Sequence, residues 1–294
     1  MRRRRWLGAA ALALVALIAA GCDPLDDPSG AAPMRYRDDM FAVTRTNGIV
    51  FGSAVNQVGT TVTLALDMYE PAGDSVAARP AIVWVHGGSF STGTRTSPEL
   101  VDEANYFAQK GYVNVSIDYR LDSVGCTGGG SNIARCVAAI QQAQQDAQTA
   151  VRFLREQAAT YRIDPDRIGI GGTSAGAITA LNVGYSPENP GPGDHQGFSS
   201  AVRAAQSLSG AQLASSPINA GDAPAVLFHG TADTLVPYSW ATSTVDRATQ
   251  AGLVVKLVTY DGAGHVPYAA NRTDILTKTR NFFWWKLDAG RAAR

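Results

Sequence analysis

What most limits the shape of this chain is an alternation. From about residue 40 onward, short runs that read as strands are separated by longer segments that read as helices. Residues 62–69 (VTLALDMY) alternate apolar and polar as a half-buried strand does. Residues 81–85 (AIVWV) are apolar throughout, as in a strand covered on both faces. Residues 113–118, 168–172, 204–208, 225–229 and 254–260 complete the expected strands. Helices are expected over 99–110, over 136–160, directly after Ser174, over 239–251 and over 274–287. In the second of these, Val137, Ile140, Ala143, Ala147, Val151 and Leu154 step by three or four along one face. The pattern leads to an α/β fold with a mostly parallel central sheet of about eight strands and helices on both faces. Sheets of this kind bind ligands at the carboxyl ends of their strands.

Composition narrows the classes. The chain has 294 residues and is 45% hydrophobic, which is long and apolar enough for a sizeable core and excludes a disordered chain. Its formal charge is zero, with 25 Lys and Arg against 25 Asp and Glu. Arg2, Arg3, Arg4 and Arg5 lie in the first 22 residues, which contain no acid. Without them the body is mildly acidic, which argues against nucleic-acid binding.

The arginines precede an uninterrupted apolar run, residues 6–21 (WLGAAALALVALIAAG). It is short for a membrane span of about 20 residues and fits the apolar region of a signal peptide. It ends in Ala19-Ala20-Gly21-Cys22, which resembles the lipobox of bacterial lipoproteins. Residues 1–22 are therefore expected to be a signal peptide, with Cys22 lipidated. The protein would then be exported and anchored by lipid, facing the periplasm or the cell exterior. The alternative is an ordinary signal peptide cut near Ala20, which leaves a secreted protein. With Cys22 set apart, Cys126 and Cys136 make an even pair in an oxidising compartment, and a disulfide between them is expected. Residues 23–39 begin with a Pro, Gly, Ala and Asp-rich stretch without periodicity and are expected as a flexible tether. A single catalytic domain is expected over 40–294.

The chemistry concentrates in a few loops. Gly172-Thr173-Ser174-Ala175-Gly176 is a G-x-S-x-G between an apolar strand and a helix, the setting of a nucleophile elbow that projects the serine hydroxyl. A serine needs a base, and the base an orienting acid. Of the four histidines, His86, His195, His229 and His265, the last follows a strand in Asp261-Gly262-Ala263-Gly264-His265. Acids after Ser174 include Asp194, Asp222, Asp233, Asp246 and Asp261. Asp233 is favoured, because Gly230-Thr231-Ala232-Asp233 is the loop at the carboxyl end of the strand 225–229. Asp222 lies at the other end of that strand and Asp246 within a helix. Gly88 and Ser89, in His86-Gly87-Gly88-Ser89-Phe90, could offer backbone N–H groups to an oxyanion, joined by the N–H of Ala175. His86 reads as a residue that holds this loop.

The segments 83–90 (VWVHGGSF), 111–121 (GYVNVSIDYRL), 163–177 (IDPDRIGIGGTSAGA) and 229–237 (HGTADTLVP), with Gly264-His265, resemble the α/β-hydrolase family. The resemblance covers about residues 48–287 and is nearest to secreted carboxylesterases around the feruloyl and acetyl-xylan esterase-like group. Type-B and hormone-sensitive-lipase-like esterases share part of it. It implies an α/β-hydrolase fold and ester hydrolysis through an acyl-enzyme by Ser174, Asp233 and His265. The expected partner is a small-molecule or polymer-linked ester, with no nucleic acid and no membrane contact beyond the lipid. Neither a metal nor an organic cofactor is expected. Ser89 departs from the third glycine that many relatives carry. Segments 121–136 and 185–199 are expected to wall the substrate site. The rival readings are a prolyl-oligopeptidase-like serine peptidase and an inactive binding protein on the same fold.

Overall fold

The computed structural model describes residues 23–127, 132–186, 191–213 and 216–291. Among these residues eight strands form one sheet: β1 (Val43–Val55), β2 (Thr61–Pro71), β3 (Arg79–Val85), β4 (Val113–Ile117), β5 (Ile163–Gly172), β6 (Ala204–Leu208), β7 (Ala225–Gly230) and β8 (Val255–Tyr260). Their spatial order is β1-β2-β4-β3-β5-β6-β7-β8. β2 pairs antiparallel with both β1 and β4, and every other pair is parallel. Among the described residues, five α-helices accompany the sheet: α1 (Pro98–Ala108), α2 (Ile133–Glu156), α3 (Ala175–Gly184), α4 (Tyr238–Gln250) and α5 (Tyr268–Lys286).

The period of two along the central strands sorts side chains into two cores. Ala81, Val83 and Val85 of β3 point to the side covered by α2, α3 and α4, with Ile168, Ile170, Ala147 and Leu154. Ile82 and Trp84 point to the other side, where α1 and α5 supply Leu100, Phe107, Ile275 and Phe283. This is why residues 81–85 are apolar without a break. It also assigns the aromatic end of α5: Phe282 and Phe283 are fully buried core residues. The chain leaves β3 to build β4 on one side, and later returns to build β5 on the other. That reversal of direction opens a crevice at the carboxyl ends of β3 and β5, where ligands bind in such sheets.

β1 was not among the strands placed from sequence. Gly48 and Gly52 interrupt its pattern, and its pairing with β2 shifts register between Thr46 and Ile49 and again between Val50 and Gly52. α2 begins three residues earlier than expected and ends at Glu156. α5 begins at Tyr268, six residues early, because a first turn precedes a non-helical Asn271 (φ −122°, ψ 19°). The regular apolar spacing starts only after that break.

Residues 23–39 do not form a free tether. Tyr36 is fully buried, packs edge-on to Tyr112 at 4.9 Å, and donates its backbone N–H to Lys110 O at 2.8 Å. Burying such a ring is worth about 2 kcal/mol, comparable to the cost of ordering a residue or two. Leu25 packs against the α1/α5 core, and Asn281 Nδ2 donates to Leu25 O at 2.8 Å. The low hydrophobicity of the segment hides these anchors, which are single side chains and backbone groups without period. Cys22 and the rest of the expected signal peptide lie outside the described residues.

Candidate active site

Ser174 sits between β5 and α3 at φ 55°, ψ −114°, a backbone region that an L-residue occupies only at a cost of about 1–3 kcal/mol. Surrounding contacts hold it there. Ser174 N donates to Leu208 O at 2.8 Å, and Gly176 N to Thr173 O at 2.9 Å. The turn is tight enough that a Cβ on Gly176 would overlap the carbonyl oxygen of Val85. Glycine at 176 lets α3 start directly against the end of β3, with its N-terminus at Ser174.

The hydroxyl so presented meets His265. His265 Nε2 is 2.8 Å from Ser174 Oγ, and its Nδ1 is 2.8 Å from Asp233 Oδ2. A carboxylate only accepts, so Nδ1 carries the proton and Nε2 is left to accept from the serine hydroxyl. Asp233 is buried, and its Oδ1 accepts the N–H groups of Leu235 (2.9 Å) and Val236 (3.0 Å). These bonds, from the loop after β7, fix the carboxylate plane. The sequence order Ser174, Asp233, His265 thus becomes one hydrogen-bonded chain across three loops at the same end of the sheet.

The loop after β3 lies beside it. Gly88, Ser89 and Phe90 have φ values of 114°, 53° and 61°. Among the described residues, no protein acceptor takes the N–H of Gly88 or Ser89. Ala175 is the first residue of α3, so its N–H is one of the donors that a helix leaves unpaired. His86 does hold this loop. Its Nδ1 donates to Gly87 O at 2.7 Å, its ring stacks on Tyr119 at 4.2 Å, and Tyr119 Oη donates to His86 O at 3.1 Å. Burial keeps the His86 imidazole below its ordinary range, hence neutral. His195 is elsewhere, between Glu156 and Phe51 O, and His229 is fully buried in β7 behind Asp233.

An open cleft of about 950 Å³ lies over Ser174 and His265. Its walls differ from expectation. Described residues of 121–136 and 185–199 do not line it. The start of α1 (Pro98, Glu99, Asp102) and the start of α5 (Tyr268, Ala269, Arg272) do, with Leu235, 70% exposed, at the rim. Asp102 accepts from Tyr268 Oη at 2.7 Å and from Arg272 Nη2 at 2.6 Å, tying the two helix starts together. Asp102 lies inside the expected helix 99–110, where no motif marks it as a cleft wall, and Tyr268, Ala269 and Arg272 precede the expected helix start at 274. The signal that could have found them is the direct sequence link from His265 to Tyr268.

Cys126 and Cys136 are bonded to each other. Their loop lies behind the Gly88–Phe90 turn rather than over the cleft. Cys126 N donates to Ser89 O at 2.9 Å, and Asp122 N to Phe90 O at 3.0 Å. Gly125, at φ 55°, lies so close to Ser89 O that a Cβ there would overlap it. After β4 the chain folds back behind the β3 loop, which carries residues 122–126 away from the cleft.

The BD-FAE family model matches residues 66–200, and the TAP-like protein family model matches residues 201–283. Phenmedipham hydrolase from Pseudarthrobacter oxydans is 30% identical over 125 residues, covering 42% of this chain and 23% of the relative. Gut esterase 1 from Caenorhabditis briggsae is 32% identical over 108 residues, covering 37% and 18%. The alignments therefore span a quarter or less of these curated relatives. Among solved structures, propionate-bound esterase 2 from Thermogutta terrifontis superposes with a TM-score of 0.65 at 26% identity, covering 83% of this chain and 91% of that one. The fold is that of the α/β-hydrolases, and the family models, the esterase relatives and the structural neighbours together support a place for the chain among the carboxylesterases of that fold.

Proposed function

We propose that this protein hydrolyses carboxylic esters by two-step acyl transfer on Ser174. The observation that carries the reading is the unbroken chain from Ser174 Oγ through His265 to Asp233, each link 2.8 Å, on the floor of the cleft. His265 Nε2 takes the Ser174 proton as Oγ attacks the ester carbonyl carbon. The oxyanion is held by the N–H groups of Gly88, Ser89 and Ala175, with the N-terminus of α3 adding favourable potential. Collapse passes the proton from His265 to the leaving alcohol and leaves an acyl-Ser174. Water, activated by His265, attacks that ester, and Ser174 regains its proton as the acid leaves. Asp233 keeps Nδ1 protonated and stabilises the imidazolium that forms twice per cycle.

The esterase names of the relatives and of the Thermogutta terrifontis neighbour support this reading over peptide hydrolysis. Export with lipid on Cys22 is part of the proposal, on the strength of the Arg2 to Arg5 cluster, the apolar run and Ala19-Ala20-Gly21-Cys22.

The test is covalent. A fluorophosphonate probe should label one residue, and peptide mapping should place the label on Ser174. Nitrophenyl acyl esters should be turned over, and anilides of the same acids should not. A probe that labels nothing in folded protein would exclude the mechanism.

A further inference from the structure

We infer that the protein stands on a membrane with its cleft turned to the aqueous side, and so takes its esters from solution or from a soluble polymer rather than from the bilayer. This rests on the ester-hydrolase reading and on acylation of Cys22.

Asp23 lies 2.6 Å from Lys256 Nζ, and Lys256 is the second residue of β8. Trp285 Nε1 donates to Asp26 O at 3.3 Å, Asn281 Nδ2 to Leu25 O at 2.8 Å, and Arg280 pairs with Asp27. All three partners belong to the last turns of α5. Further along, Tyr36 N bonds Lys110 O, and Met40 N bonds Gln109 O, just past the end of α1. Arg35 pairs with Asp74, which precedes β3. Every one of these contacts lies at the amino ends of the parallel strands.

The cleft is at the other end, and two helices measure the separation. α5 begins in the cleft wall at Tyr268 and Arg272 and ends among the residues that grip Asp26. From Arg272 to Trp285 is about 20 Å at the rise of an α-helix. α1 begins in the cleft wall at Pro98 and ends at the contact with Tyr36, about 16 Å away. Both helices run the same way, so the first described residues and the cleft mouth occupy opposite poles.

Cys22 precedes Asp23 directly. A lipid on Cys22 would therefore be joined to the domain by a single peptide bond, with no slack. A free coil of twelve residues would reach roughly 20 Å and allow the domain to turn in any direction. Docking of residues 23–41 removes that freedom and holds the pole bearing Lys256 and Trp285 at the headgroups. Esters in the same bilayer are then out of reach, while dissolved esters meet an unobstructed mouth.

The test uses the full acylated protein in liposomes of neutral phospholipid. One dye is placed through Val254→Cys, on the exposed residue before β8, and another through Leu235→Cys, on the cleft rim. Energy transfer to an acceptor lipid should be several-fold stronger from position 254. In the same liposomes the unlabelled parent protein should hydrolyse a soluble nitrophenyl butyrate and should not hydrolyse a nitrophenyl ester built into the vesicle. Equal transfer from both dyes overturns the orientation, as does hydrolysis of the bilayer ester at the soluble rate. Mass spectrometry of a mature chain with unmodified Cys22 overturns the anchor. Loss of turnover on both esters, with the dyes as expected, overturns the ester reading instead and with it the substrate class.

Discussion

The Nε2 of His229 lies 3.2 Å from Asp233 Oδ2, the same carboxylate oxygen that receives His265. That nitrogen is also 2.8 Å from Val236 O, an acceptor, so it must carry a proton. Burial holds this imidazole below its ordinary range, which leaves it neutral with a bare Nδ1. His229 therefore acts as a fixed donor shared by the Asp233 carboxylate and the chain segment that orients it. His229→Phe should lower kcat by roughly ten- to a hundredfold through misplacement of Asp233, with KM little changed. His229→Gln, which keeps an N–H near the same point, should recover most of the loss. Steady-state kinetics of the two variants, checked for folding by circular dichroism, decide the matter. Equal losses in both would reduce His229 to packing.

Ser174→Ala should abolish ester turnover with an unchanged thermal midpoint, since loss of the nucleophile in a comparable triad costs about 10⁶ in kcat. His265→Ala should lose activity to a similar degree. His195→Ala should keep it, because His195 bonds Glu156 and Phe51 O away from the cleft. Activity in His265→Ala above a few per cent would contradict the assigned base.

The bonded cysteines lead to a kinetic expectation set by their position. Their loop touches Ser89 O and Phe90 O and does not line the cleft. Cys126→Ser with Cys136→Ser should therefore reduce kcat for small and bulky esters alike, several-fold, with KM nearly constant. A rise in KM confined to bulky esters would mean that the loop works as a wall.

Glu103 on α1 is 1% exposed, and its Oε2 has no partner. Burial first, then the charges of Glu99 and Asp102, push its carboxyl well above the usual range. A raised acid holds its proton longer in the folded than in the unfolded chain. Its contribution is thus complete below the ordinary carboxylate range and is lost as pH rises through the folded value. Glu103→Gln removes that dependence. As pH rises above the ordinary carboxylate range, the midpoint of the variant relative to the parent should climb in differential scanning calorimetry. A constant difference over that rise in pH would show that Glu103 ionises as it would in water.

Much of this was legible beforehand, and for a physical reason. The central strands are buried on both faces, so residues 81–85 and 225–229 betray themselves by unbroken apolarity. Ser174, Asp233 and His265 were locatable because each directly follows or ends a loop at a strand's carboxyl end. Tyr36 and Leu25 were not, because an isolated anchor in a polar stretch has no period to detect. Nor were Asp102, Tyr268 and Arg272, whose presence in the cleft depends on how two helices are angled at their starts. Helix starts are set by backbone breaks such as Asn271, which composition does not announce.

The brace behind Ser89 also sets an order of events. Ser174, His265 and Asp233 come together by folding alone, whereas the bond between Cys126 and Cys136 needs an oxidising compartment. If export proceeds as proposed, a chain still inside the cell has its nucleophile but not the clamp on its oxyanion turn. Full activity would then be a property of the delivered protein. The cell's own esters would meet only the slack, reduced form.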